Sequence, residues 1–409
     1  MKWTDDLDKT SIFLYLAISI FAVANIYSVD EGLGKKQFVF LCISIFVGII
    51  IFFMRTKFFE NFASIIYIGG ILLLIGLFPF GTEILGQKNW YKFGSVTMQP
   101  VEFAKIGVAL MLANYVSGPD FNIKTKKSLW TCLAIIGIPA VAVLAIPDVG
   151  SLLVFTAFFI ALFREGLSGW FFGVGGIFAV VFLVALAVDP IYVIVGIALI
   201  YGLILLFNYY KIHWNIVSIT GFIGSFLLLS GLAFGSPKIL EKLPKHQRER
   251  IEVLYKGEKA FRDTSGYNLL YSKTAIGSGG FFGKGYKEGS VTQGKFVPEQ
   301  ETDYIFCTVG EEWGFFGATM LVLLYALFIG RIYYLSEQQK SSFNRVFGYS
   351  FASILLMHFV INLGMVMGLF PTVGIPLPFF SYGGSSLLAF SIMTFIFFKL
   401  NYADRNSLV

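Results

Sequence analysis

The chain has 409 residues, 56% of them hydrophobic and 14% charged, with a net charge of +6 and a mean hydropathy of +0.75. Soluble domains are about a quarter charged, so this composition excludes one and predicts an all-α polytopic membrane protein, each span taking about 20 apolar residues. Phe (46) and Tyr (20) far outnumber Trp (6), which suits helix surfaces and interface belts and gives no sign of a nucleic-acid partner.

Trp3 to Thr10 is polar, the first apolar run is long enough to span, and no small-residue cleavage site follows it. No cleavable signal peptide is therefore expected. Apolar spans are predicted at about 11–28, 37–54, 62–80, 101–117, 129–146, 149–163, 169–188, 190–208, 214–233, 312–333, 349–370 and 380–398. The chain then divides into helices over 1–233, a long polar segment at 234–311, and three further helices over 312–409. With the N-terminus inside, the inner segments hold fourteen basic residues, and the short outer loops hold only Lys35, Lys36, Lys88 and Lys92. That asymmetry puts both termini in the cytoplasm and the 234–311 loop outside. Cys42, Cys132 and Cys307 fall far apart in apolar segments and imply no disulfide framework. His213, His246 and His358 are scattered, without zinc or haem spacing.

This topology brings polar groups from several segments to one depth. Glu102 and Lys105 share a face in the first turns of the fourth span. Pro147-Asp148 makes an outer corner, and Ser381-Tyr382-Gly383-Gly384-Ser385-Ser386 opens the last span. Ionisable groups in spans are costly and gather in cavities or pairs, so one outward-facing cavity is predicted. A helix-gluing role for Lys105, neutralising Glu102 or Asp148, is equally compatible with the pattern.

In the long loop, residues 237–262 mix alternating charges with Ile and Leu, which predicts one or two amphipathic surface helices. Arg248 and Arg250 could meet a phosphate or lipid headgroup there, or simply form a solvated charged face. The run from Gly277 to Gly285 fails the P-loop pattern, because Ser278 and Gly285 stand at required positions. A flexible loop over the cavity is expected instead. Tyr304 to Phe315 predicts a short interfacial helix that breaks near Gly310 or Gly314. Just before it, Pro298-Glu299-Gln300-Glu301-Thr302-Asp303 closes the polar segment. Asp303 therefore sits where water meets membrane, a place where partial desolvation raises a carboxyl pKa and suits it to proton transfer.

Six motifs in order resemble those of the SEDS (shape, elongation, division and sporulation) family. They are Gly86-Gln87-Lys88-Asn89-Trp90 with Gln99-Pro100, Glu102 and Lys105; Ile146-Pro147-Asp148-Val149-Gly150-Ser151; Gln247-Arg248-Glu249-Arg250; Ala275 to Gly285; Pro298-Glu299 with Thr302-Asp303-Tyr304-Ile305-Phe306; and Gly374 to Ser386. The resemblance implies a peptidoglycan glycosyltransferase of the bacterial cytoplasmic membrane. Such an enzyme polymerises lipid II on the periplasmic side and works with a class B penicillin-binding protein, the elongation machinery and membrane lipids. It places the catalytic carboxylate on Asp303 and singles out Glu102, Lys105 and Asp148. Arg248, Arg250, Glu299, Thr302, Ser381 and Ser385 fall in the motifs as supporting or substrate-binding candidates. The forms of the arginine and glycine motifs lean to the elongation type.

Val101, Glu301 and Tyr271 depart from the family pattern, as does the absence of Asp-Pro near Lys256-Gly257. Glu301, if close, would raise the pKa of Asp303. The family has ten spans, so the excess pair within 169–233 is expected to be a lateral addition facing lipid or a partner. Positive charge for a leaving pyrophosphate could come from Lys105, Arg248, Arg250 or a divalent cation, magnesium or manganese. Two other functions fit the same chain: a lipid II flippase, which would want its charges at mid-membrane, and a non-enzymatic scaffold that activates a penicillin-binding protein.

Overall fold

A computed structural model of the protein describes residues 7–84, 87–94, 96–146, 148–208, 215–243 and 245–406. Helices follow one another in the order α1 (Lys9–Val29), α2 (Glu31–Phe53), α3 (Thr56–Ile75), α4 (Leu77–Phe80), α5 (Pro100–Val116), α6 (Lys126–Ala145), α7 (Val149–Phe155) and α8 (Phe158–Arg164). Next come α9 (Trp170–Ala187), α10 (Pro190–Asn208), α11 (Ile216–Lys242), α12 (Lys245–Lys256), α13 (Tyr267–Ser278) and α14 (Ser290–Gln293). The chain ends with α15 (Ile305–Glu312), α16 (Gly314–Glu337), α17 (Ser342–Met367) and α18 (Gly384–Asn406). Among the described residues, ten helical stretches are long and apolar enough to cross a membrane. The other two predicted spans are helical but shorter: α5, and the apolar stretch Val149–Arg164 that contains α7 and α8. The chain is a multi-pass membrane protein.

Polar residues set the helix boundaries. Asp8 accepts from the Ser11 N–H at 3.0 Å, and Asp30, the one residue between α1 and α2, accepts from the Leu33 N–H at 3.0 Å. Both are N-caps that satisfy an otherwise orphaned donor. Capping explains why α2 starts at Glu31 rather than at 37, since a capped helix can begin in polar sequence ahead of its apolar run. The segment between α4 and α5 departs from an all-helical reading. It forms a small antiparallel sheet of β1 (Thr82–Ile84), β2 (Gln87–Phe93) and β3 (Val96–Met98), with Tyr91 opposite Met98 and Lys92 opposite Thr97.

Two compact units are present. One comprises the chain up to Leu167 together with Asn268 onward, and the other is Ser168–Tyr267. In the first unit α3 packs along α5, α18 along α2, and α17 against α16 and α5. Helices α17 and α18 are the most enclosed of the long helices, and they carry buried polar residues such as His358, Asn362, Ser391 and Asn401.

In the second unit α9, α10 and α11 pack around Ala185, Ile197 and Ala233. Large apolar side chains such as Trp170, Leu199, Phe207 and Leu227 remain exposed. Helix α11 runs to Lys242, beyond the expected end at 233, and takes in Pro237. The helix continues past the apolar run into polar sequence, so the predicted outer loop is shorter; of its predicted amphipathic stretch, 237–262, α12 forms the α-helix after Lys242. Its charges pair along the helix: Lys245 with Glu249 at 3.8 Å, Arg248 with Glu252 at 3.7 Å and Lys256 with Glu252 at 3.3 Å.

Residues 277–285 are not the loose loop expected from their glycines. Lys284 N–H donates to the Glu311 carbonyl at 2.9 Å and Gly285 N–H to the Glu312 carbonyl at 3.1 Å, while Phe315 N–H donates to the Gly280 carbonyl at 2.9 Å. A Cβ on Gly283, which has φ +81°, would lie 2.1 Å from the Glu312 carbonyl oxygen. The glycine serves a close backbone approach here, not flexibility. The break between α15 and α16 at Trp313–Gly314 falls where the sequence predicts it.

Candidate functional site

The site is assembled in the first unit from five segments. Asp303 is half-buried immediately before α15. Its backbone carbonyl accepts from Asn362 Nδ2 at 2.9 Å, and the same amide donates to the Ile375 carbonyl at 2.8 Å. One α17 side chain thus fixes both the carrier of the carboxylate and the turn facing it. Gly374, at φ +71°, is part of that turn, and a Cβ there would lie 3.1 Å from Asp303 Oδ2. Gly374→Ala is expected to cost about 1–2 kcal/mol through its left-handed backbone alone. It also crowds the carboxylate, so activity should fall more than stability, which a melting curve beside a turnover assay would check.

The residues before Asp303 are held as firmly. Thr302 Oγ1 donates to Glu299 Oε2 at 3.0 Å, and the Thr302 and Tyr304 N–H groups donate to the Glu299 carbonyl at 3.1 and 3.2 Å. Glu299 takes a left-handed φ of 60° to make this turn. Ser381 Oγ accepts from the Leu377 N–H at 2.8 Å and donates to the Thr302 carbonyl at 2.7 Å. That hydroxyl is engaged in joining two loops. Gln37 from α2 bonds the Ser381 carbonyl and the Gly383 N–H, both at 3.2 Å. Ser385 accepts from the Gln99 N–H at 3.4 Å and ties the start of α18 to the start of α5.

A second, covered layer backs this one. Lys105 Nζ donates to Glu102 Oε1 at 2.9 Å, and both side chains are at most 2% exposed. Asp148 caps α7, accepting from the Ser151 N–H at 2.9 Å, Ser151 Oγ at 2.8 Å and Asn89 Nδ2 at 3.2 Å. Gly150, in the next turn, sits so close to the 373–375 segment that a Cβ would be 2.7 Å from the Val373 carbonyl oxygen. Only Asp303, Thr302 and Glu299 of the eight candidates in this unit are part-exposed. Glu102, Lys105, Asp148, Ser381 and Ser385 are buried. The first group can meet a substrate, and the second shapes what it meets.

Beneath Asp303, two adjacent glutamates on α15 tie down the segment leading to it. Glu311 accepts from Lys284 Nζ, the Thr292 N–H and Thr292 Oγ1, each at 2.7 Å, and from the Val291 N–H at 2.9 Å. Burial alone would raise its carboxyl pKa, but Lys284 and the 291–292 donors hold it below the usual value. Glu312 accepts from Ser28 Oγ and from Gln293 Nε2 at 3.2 Å, and its burial pushes its pKa up. Two ion pairs add to the tie: Lys287 with Glu31 at 2.6 Å and Lys295 with Asp30 at 3.3 Å.

Arg248 and Arg250 belong to the second unit, on α12. Pro147 and Gly86, members of the motifs above, lie outside the described residues. Among the described residues no group of three or more His, Cys, Asp or Glu is gathered to hold a metal ion. The sequence reading does not single out Asn362, and it takes His358 only as a histidine without metal spacing. The available signal was their i, i+4 spacing in an apolar span, which puts two polar side chains on one helix face.

Known proteins resemble the whole chain. The peptidoglycan glycosyltransferase MrdB of Escherichia coli (strain K12) is 30% identical over 386 residues, covering 93% of this chain and 90% of that protein. The peptidoglycan glycosyltransferase RodA of Treponema pallidum is 28% identical over 438 residues, covering 98% and 99%. A structure described as the structural coordination of polymerization and crosslinking by a peptidoglycan synthase complex superposes with a TM-score of 0.72 at 25% identity, over 98% of both chains. The fold is shared with the rod shape determining protein RodA of Thermus thermophilus, with a TM-score of 0.64 at 23% identity over 99% of each chain. The family model for the FtsW/RodA/SpoVE cell cycle proteins matches residues 7–406, and the chain belongs to that family.

Proposed function

We propose that the chain is a peptidoglycan glycosyltransferase that polymerises lipid II for cell elongation, with Asp303 as its general base. The carrying observation is the placement of Asp303: half-buried, on a backbone clamped by Asn362, and facing a left-handed turn at Gly374 where a side chain would crowd the carboxylate. The names of the relatives support the chemistry. The acceptor sugar's 4-hydroxyl gives its proton to the Asp303 carboxylate as its oxygen attacks the anomeric carbon of the donor MurNAc. The bond from that carbon to the phosphate oxygen breaks, its electron pair leaves with undecaprenyl pyrophosphate, and the α configuration becomes β. Thr302 and Glu299 stand beside the base to contact the sugars.

Buried Lys105 supplies a fixed positive field behind the site, not a mobile clamp, because its ammonium is already engaged. Arg248 and Arg250 remain candidates for the headgroup phosphates. An apolar groove of about 660 Å³ between α2, α3, α5 and α18, lined by residues such as Ile51, Phe58, Leu72 and Ile396, suits a polyprenyl tail. The basic-residue asymmetry supports cytoplasmic termini and a periplasmic site. A class B penicillin-binding protein is the expected partner, in keeping with the synthase complex that the fold resembles.

Purified protein given labelled lipid II, with and without a class B partner, should yield glycan strands. No strands from folded protein with the partner present would leave the flippase or scaffold. The α9–α10 pair belongs to a separate compact unit, with few side chains buried. A variant lacking that pair, with downstream orientation kept, should still polymerise, and loss of strands from a folded variant would refute its peripheral role.

A further inference from the structure

His358 lies on α17 one turn before Asn362 and is 1% exposed. Its ring nitrogens face two different elements: Nδ1 is 2.9 Å from the Pro376 carbonyl oxygen, and Nε2 is 2.7 Å from Lys105 Nζ. A carbonyl only accepts, so the ring proton sits on Nδ1. Nε2 is then a bare lone pair aimed at an ammonium, which only donates. The ring meets Phe390 edge-on with centroids 5.0 Å apart, and Lys105 Nζ lies 5.2 Å from the centre of the same Phe390 ring.

We propose that His358 is a positioning residue for polymerisation, acting through Lys105. An ammonium with no exposure needs acceptors for its three hydrogens. Glu102 provides one and His358 another. The far side of the same imidazole holds the Pro376 carbonyl, next in sequence to the Ile375 carbonyl held by Asn362. Two α17 side chains one turn apart thus clamp consecutive carbonyls of the turn that faces Asp303, and one of them also fixes Lys105. Loss of the Nε2 acceptor frees the lysine from the turn and shifts the field behind the base. An ordinary core histidine would need no acceptor at that position, and an apolar ring would replace it.

The functional half of this proposal rests on the glycosyltransferase reading, but the structural half does not, and the tests separate them. The chain has only three histidines, so ¹⁵N-histidine spectra of the purified full-length protein are resolvable, with His358 assigned by its loss in His358→Gln. The expected signature is a neutral ring protonated on Nδ1. A ring protonated on Nε2, or a doubly protonated one, overturns the proposal whether or not the protein makes strands. In lipid II polymerisation, His358→Leu should lower kcat by about tenfold or more at a KM near wild type, as expected for an interaction that serves the transition state. His358→Gln keeps an acceptor in place of Nε2 and should recover most of that loss. Wild-type kcat in His358→Leu, or equal impairment in His358→Gln at an unchanged melting temperature, refutes it. Should His358→Leu not fold, the tautomer decides. If wild type itself makes no strands, the glycosyltransferase reading has failed and the spectrum still answers for the contact.

Discussion

Asp303→Asn is expected to abolish polymerisation while leaving the fold intact. The substitution keeps the shape of the side chain, and the backbone contacts that hold this position use the Asp303 carbonyl, which it does not touch. What disappears is the basic oxygen. General-base catalysis contributes about 10²- to 10⁴-fold, so strand synthesis should fall by that much, with a melting temperature near wild type and lipid II binding retained. The measurement is initial rate against lipid II concentration for both proteins. Turnover within a few-fold of wild type would remove Asp303 from the mechanism and turn attention to Glu299 and Glu301, the other part-exposed carboxylates of that segment.

Glu311→Ala should be the most damaging substitution for stability outside the helices' apolar faces. It removes a carboxylate that five groups of the 284–292 segment share, and leaves two backbone N–H groups without their acceptor and Lys284 without its counter-charge. Each buried donor left without an acceptor costs about 1–3 kcal/mol, so the loss should be several-fold larger than for an ordinary surface substitution. Glu311→Gln retains an acceptor oxygen and should lose less. The pH dependence has a definite sign. The Glu311 pKa is lowered in the folded protein, so its contribution is complete above the unfolded value of 4.5 and drains away as pH falls below it. Thermal unfolding of wild type and Glu311→Ala in detergent should converge as the buffer is made more acidic. A constant gap between the two curves would mean that packing, and not the charge, accounts for the loss.

Much of the fold was legible in the sequence because lipid allows so few solutions. Among the described residues, ten of the twelve predicted stretches are helices long and apolar enough to cross a membrane, since a spanning backbone must satisfy its own hydrogen bonds. Boundaries were less legible where polar caps lie upstream of the apolar run, as at Asp30, or where a helix outlasts the membrane, as at Pro237. The strands over 82–98 were missed because nothing in a hydropathy profile marks a short polar hairpin. For the site, spacing was enough to pair Glu102 with Lys105. It could not show that Lys105 is sealed from solvent, or that the Ser381 hydroxyl is consumed in bonding loops. Those facts depend on α17 and the segment after it folding over residues far earlier in the chain, 253 positions for His358 with Lys105 and 344 for Ser381 with Gln37. The glycines of 277–285 misled for the same reason: their purpose is contact with 310–316, which no local pattern reveals.

The site draws on residues from Gln37 to Ser385, and α17 with the segment between it and α18 supplies its clamps. This has a consequence for biogenesis. A ribosome that has delivered everything through α16 to the membrane has delivered Asp303 and Lys105, yet neither is in place: Asn362, Pro376 and Ser381 have still to be synthesised. If Asp303 is the base, the nascent chain stays silent until α17 and the 375–381 segment have followed α16, and truncations that remove everything after α16 should be as inert as those that remove half the protein.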